Sequence, residues 1–348
     1  MVLDEPVIWL LRLGFTALAL GAFVSFLPTG RTFLRILPTY GFAAIGAAAL
    51  AAGAAVDLAR GGTVRLGALP LLPGLGGLRF EMDALSAYFV LLIGGLGASC
   101  SLYAIGYARR GCGASLAGGF WNLFIASMAA VVLSSDALGF LFMWELMSVV
   151  SCLLVMAEHK DPDVRRAGYV YVVMTHVGTA FLVGAFLWLY VWTGSLEFSA
   201  FRAVGPSLPT GVHNIILLLL TIGFGTKAGL VPLHVWLPRA HPAAPSHVSA
   251  LMSGVMVKTA LWGVLRFAFD LLGSGPAWWG GLLVGLGAVS AVTGALYATQ
   301  QNHLKRLLAY STVENVGLLF MGIGAATLAR AGGQGELAVI ALAVVLFH

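Results

Sequence analysis

The chain has 348 residues, of which 59% are hydrophobic and 9% charged, and its net charge is +5. Soluble domains carry about 25% charged residues, so this chain has too little polar surface to cover a soluble particle of its size. Its basic residues sit in short loops, not in a patch or tail, and give no sign of a nucleic-acid-binding face.

Apolar runs of about 20 residues recur, each long enough to cross a hydrocarbon core of roughly 30 Å. They predict ten spans near 7–27, 36–56, 83–107, 119–134, 136–157, 167–193, 213–232, 247–271, 277–299 and 307–329. An eleventh run begins near Leu337 and stops at His348, too short to span, so the chain is expected to be a fragment or a split subunit. The first run, Val7 to Leu27, lacks a basic leader and a cleavage pattern and is expected to be a retained span. The 45 glycines suit helices packed closely in lipid. The longest connectors, Asp57 to Met82 and Gly194 to Val212, suit short hairpins or surface helices. Cys100, Cys112 and Cys152 lack metal-site spacing and read as packing thiols.

Orientation follows loop Lys and Arg. Loops after odd-numbered spans hold Arg31, Arg35, Arg109, Arg110, Lys160, Arg165, Arg166, Arg239, Lys305 and Arg306. Loops after even-numbered spans hold Arg60, Arg65, Arg79, Arg202, Arg266 and Arg330. This ten-to-six bias puts the odd loops in the cytoplasm and the N-terminus on the outer face of the inner membrane.

Four ionisable residues fall inside spans: Glu145, Lys227, Lys258 and Glu314. A charge at mid-membrane costs at least about 2.5–3.5 kcal/mol. One such residue is readily explained by a structural ion pair or by snorkelling. Four in different helices point instead to a chain of titratable groups, because burial moves both carboxylates and lysines toward neutrality, where protons can hop. Glu145 beside Lys227 would form a switch: pairing holds the lysine charged, and withdrawal of the glutamate releases its proton.

After Lys227 come Pro232, Pro238, Pro242 and Pro245, four prolines within 14 residues. They cannot occupy one straight helix. Non-helical backbone at membrane depth is tolerated where it is buried in protein or lines a wet cavity, and broken helices are where transporters place ion sites. His234, His241 and His247 lie in or beside this break, and His176 is expected to be a buried polar residue of the sixth span. Histidine titrates near neutrality and can shuttle protons, although a lone one is more often structural. Lys305 joins the path or sits in a cytoplasmic turn with Arg306. No dinucleotide, phosphate-loop, nucleophile-elbow or haem-attachment motif appears, so no cofactor, metal or catalytic redox centre is expected in this chain.

These residues resemble the proton-conducting antiporter-like subunits of respiratory complex I, Mrp-type antiporters and group 4 membrane-bound hydrogenases. The resemblance is carried by Phe142-Met-Trp-Glu145, by Gly225 to Pro238, by Pro245-Ser-His-Val-Ser-Ala-Leu-Met252 and by Leu304 to Gly317, in the family's order. Tyr310-Ser-Thr-Val-Glu-Asn-Val-Gly317 and Met174-Thr-His-Val-Gly-Thr179 look most like the hydrogenase-4 component B / formate hydrogenlyase branch.

The resemblance implies an all-α polytopic membrane protein of the inverted-repeat antiporter-like fold. It makes Glu145, Lys227 and Lys258 the proton-transfer residues of a first half-channel. His234, His247, Glu314, Lys305, His176 and His348 are further proton-transfer candidates, read from the residues themselves. His348 matches the opening of a histidine stretch in the family's second half-channel. The implied division is an N-terminal segment 1–110, a first half-channel 111–272 and the start of a second, 273–348. The implied partners are other membrane subunits and peripheral redox subunits of a hydrogenase or NADH-quinone oxidoreductase complex, where the redox chemistry would take place. The implied function is redox-driven proton translocation. The alternatives are a subunit of a sodium/proton antiporter and a transport-inactive membrane scaffold.

Overall fold

The computed structural model describes residues 4–27, 32–72, 76–108, 116–273 and 275–348. Arg31, Arg109, Arg110 and Cys112 lie outside the described residues. Among those described, ten helices are long and apolar enough to cross a membrane. The chain is a polytopic α-helical membrane protein that forms two compact units. One holds Met1–Val172 and Ala243–Trp262, and the other Val173–Pro242 and Gly263–His348.

The first unit contains α1 (Glu5–Phe26), α2 (Thr32–Arg60), α3 (Ala84–Ala108), α4 (Leu116–Leu133) and α5 (Ala137–Val155). It also contains the first turns of α6 (Pro162–Thr193), together with α10 (Ser246–Leu251) and much of α11 (Val257–Leu265). The Asp57–Met82 connector is a hairpin of β1 (Val64–Leu72) and β2 (Gly76–Met82). The carboxylate of Asp136 fastens the hairpin to the start of α5, accepting the N–H of Gly139 and the N–H of Arg79, each at 2.7 Å. A side-chain acceptor at a helix start satisfies a donor that the helix leaves orphaned. Asp161 does the same for Asp163 at the start of α6, at 2.8 Å, which moves that helix start several residues earlier than hydropathy suggests.

The second unit contains the rest of α6, the short surface helix α7 (Phe198–Val204), α8 (Thr210–Ala228) and α9 (Leu237–Ala243). It continues through a π-helical turn (Arg266–Leu271) to α12 (Ala277–Thr299), α13 (Leu304–Ala331) and α14 (Gly335–Phe347). Helices α12 and α13 meet along a glycine seam. Gly280, Gly287 and Gly294 recur every seventh residue on α12; the first two face Gly324 and Gly317 on α13, and Gly294 faces the backbone of Glu314. A Cβ at Gly287 would come within 2.6 Å of the Gly317 carbonyl, and one at Gly280 within 2.9 Å of the Gly324 carbonyl. Small residues in this spacing let two backbones approach as no larger side chain would. An ion triad ties α7 to the π-helical turn. Asp270 accepts from Arg202 at 2.8 and 2.6 Å and from Arg266 at 2.7 Å.

Candidate functional site

Helix α8 delivers Lys227 in its last turn, where the side chain is 2% exposed. The seventh span was expected to run through to Pro232; it ends at Ala228 instead. Gly229 adopts φ 81°, in the left-handed region that favours glycine. The Leu230 N–H then reaches the Gly225 carbonyl at 2.9 Å and the Gly229 N–H the Thr226 carbonyl at 3.3 Å. This pairing closes a helix C-terminus. Glycine terminates the helix, and the prolines prevent its early resumption. Val231–Pro232 is a cis peptide, Pro238 and Pro242 lie in the short α9, and Pro245 precedes α10.

The non-helical backbone is held on both sides. Trp236 donates its indole N–H to the Thr226 carbonyl at 2.8 Å, and the Val231 N–H reaches Ser290 Oγ of α12 at 2.9 Å. Trp279 of α12 donates to Thr221 Oγ1 at 2.8 Å and braces α8 a turn and a half before Lys227. The negative end of the α8 dipole favours an ammonium there, while desolvation works against it.

The same unit holds His234, His241, Lys305, Glu314 and His348. His234 lines a cavity of about 410 Å³ together with Arg239, Arg306, Tyr297 and Tyr310. His241 is 2% exposed and within the field of Lys305. Glu314 is half-buried on α13, with its backbone against Gly294. His348 pairs with Asn315 across Nε2 and Oδ1 at 2.9 Å. His176 departs from expectation, because its side chain is exposed. Tyr171, Thr175, Gly178 and Leu182 take the inward face of α6, and His176 is turned about 100° from Thr175.

In the first unit, Glu145 and Lys258 are half-buried. Glu145 shares its face of α5 with Ser148. One turn on, Ser151 Oγ meets the fully buried Tyr171 Oη of α6 at 2.6 Å. The Tyr171 hydroxyl also contacts Met256 Sδ at 3.6 Å and lies within the field of the Glu145 carboxylate. Lys258 follows a π-helical turn, Met252–Met256, a distortion frequent at functional sites. Its neighbour Thr259 reaches Met147 Sδ of α5 at 3.8 Å. His247, 4% exposed, sits among the rings of Trp121, Tyr107 and Tyr40 at centroid distances of 4.9, 5.5 and 5.9 Å. The Ser151–Tyr171 pair, this aromatic cage and the Asp270 triad have no local sequence signature. The nearest hints are an apolar tyrosine in span six and a lone Asp near the end of span eight.

A buried lysine in an apolar span is by default a candidate functional residue, and broken helices are where transporters place ion sites. The chain belongs to the NADH:quinone oxidoreductase/Mrp antiporter transmembrane family, which matches residues 134–343. It is 46% identical over 275 residues to hydrogenase-4 component B of Escherichia coli (strain K12), covering 78% of this chain and 40% of that one. It is 34% identical over 269 residues to an Na(+)/H(+) antiporter subunit of Alkalihalophilus pseudofirmus, covering 75% of this chain and 33% of that one. Among solved structures it resembles a chain of the membrane-bound sulfane sulfur reductase, an archaeal respiratory membrane complex. The TM-score is 0.79 at 25% identity, over 97% of this chain and 55% of that one. The chain spans well under half the length of both curated relatives.

Proposed function

We propose that this chain forms part of a proton-translocating subunit in a redox-driven complex of the inner membrane, with its N-terminus on the outer face. The observation that carries the reading is Lys227, fully buried at the end of a helix whose backbone is broken for the next eight residues. Greater identity to a hydrogenase component than to an antiporter subunit favours a redox drive.

In this reading Glu145 is the mobile counter-charge and Lys227 the switched proton carrier. Redox chemistry in partner subunits shifts the field at Glu145, and Lys227 releases its proton when that charge withdraws. Lys258 relays it, with His234 and His247 as further stations and Glu314, Lys305 and His348 leading into the second half-channel. Residues 111–272 form the first half-channel and 273–348 the opening of the second. His176, on the exposed face of α6, is the remaining candidate station. The partners are membrane subunits of the complex and its peripheral redox subunits.

The 34% identity to an antiporter subunit supports a second reading, sodium/proton exchange without redox partners. Inverted vesicles holding the native complex separate the two. Redox-driven acidification in sodium-free buffer is expected. Sodium-dependent proton movement with no redox activity would replace the first reading with the second.

A further inference from the structure

The first unit holds a cavity of about 540 Å³ between α1, the hairpin, α4 and α5, within the roughly 300–1,000 Å³ of small-molecule sites. Its wall is nearly all apolar, with Leu11 and Phe15 from α1, Phe80 from the hairpin, Leu133 from α4 and Met143 from α5. The two hydroxyl residues on the wall are Thr16 and Ser127, and Ser127 already donates to the Phe124 carbonyl at 2.9 Å. The one charged lining residue is Arg12. It is exposed on a spanning helix, and among the described residues no hydrogen bond or ion pair reaches it.

Trp9, three residues earlier on α1 and near its start, is 67% exposed, and tryptophans near the ends of spans are enriched at headgroup level. Arg12 lies about 4.5 Å deeper, where its side chain snorkels back to that level. From there the cavity runs inward along α4 from Leu133 to Leu123, a depth of about 15 Å. A cation at headgroup level above a dry slot of that depth complements a molecule with an anionic head and a long apolar tail. A guanidinium also matches phosphate oxygens in a two-pronged geometry.

We propose that this cavity binds an anionic phospholipid, with the phosphate on Arg12 and one acyl chain between α1, α4 and α5. The site lies in the N-terminal part of the chain and is independent of the proton-transfer reading.

The test uses the full chain in its native complex, in vesicles containing phosphatidylglycerol or phosphatidylcholine with a photoactivatable group at the acyl-chain end. Phosphatidylglycerol is expected to label the Leu123–Leu133 and Met143 segments about fivefold more than phosphatidylcholine, the preference one interfacial basic residue supplies. Arg12→Gln should abolish that preference and Arg12→Lys retain it; both are exposed changes that leave the fold intact. Ala126→Phe, which fills the slot, should remove the label altogether. Equal labelling by the two lipids, a preference unchanged in Arg12→Gln, or no labelling because another polypeptide occupies the slot would each overturn the proposal.

Discussion

Trp236 donates its indole N–H to the carbonyl of Thr226, 2.8 Å away, across the non-helical backbone that follows Lys227. The bond joins the two sides of the break and covers a carbonyl that the end of α8 leaves with the long Gly229 N–H bond alone. Trp236→Phe keeps most of the ring volume and removes the donor. The expected loss is about 1–3 kcal/mol, read as a lower midpoint in thermal unfolding of the purified protein. An unchanged midpoint would show that the break is held elsewhere.

The glycine seam makes a sharper stability prediction. Gly287→Ala places a Cβ 2.6 Å from the Gly317 backbone, and neither helix can yield by turning a side chain. A loss of about 1–3 kcal/mol is expected, and Gly287→Leu should cost more. Gly281, whose Cβ would meet open space, is the control. Thermal midpoints of Gly281→Ala and Gly287→Ala should differ clearly.

The Asp270 triad ranks its members. The Arg202 side chain is 49% exposed and that of Arg266 is 7% exposed. Arg202→Ala should cost at most about 1 kcal/mol. Asp270→Ala removes the ion-pair partner of the buried Arg266 and should cost more, about 3–5 kcal/mol. Unfolding of the two variants side by side checks the order, and equal losses would contradict it.

Tyr171 separates structure from transport. Tyr171→Phe removes a buried hydroxyl, but Ser151 keeps the Met147 carbonyl as an acceptor at 2.6 Å. Stability should fall by about 1 kcal/mol. If the hydroxyl carries protons between Glu145 and the α10–α11 segment, proton flux falls in vesicles while the complex stays assembled. Unchanged flux would confine Tyr171 to packing.

The spans are readable from sequence because length and hydropathy alone decide them. The break after Lys227 is readable because proline cannot donate within a helix. Its position is less so: Gly229, a common residue in this chain, ends α8 by its backbone conformation. The cage around His247 is assembled from rings at positions 40, 107 and 121, far apart in sequence, so no local pattern announces it. Arg202 and Arg266 read as loop charges that set orientation, but both belong to the Asp270 triad, Arg266 with its side chain buried. His176 reads as an interior residue because its span is apolar all round, which hides the inward face of the helix.

In the proposed mechanism protons pass through Lys227. The most direct test compares wild type with Lys227→Ala in the assembled complex, in inverted vesicles, as protons moved per turnover of the driving reaction. A fall of about tenfold or more is expected, with normal assembly and membrane insertion. Proton translocation at the wild-type ratio in Lys227→Ala would contradict it.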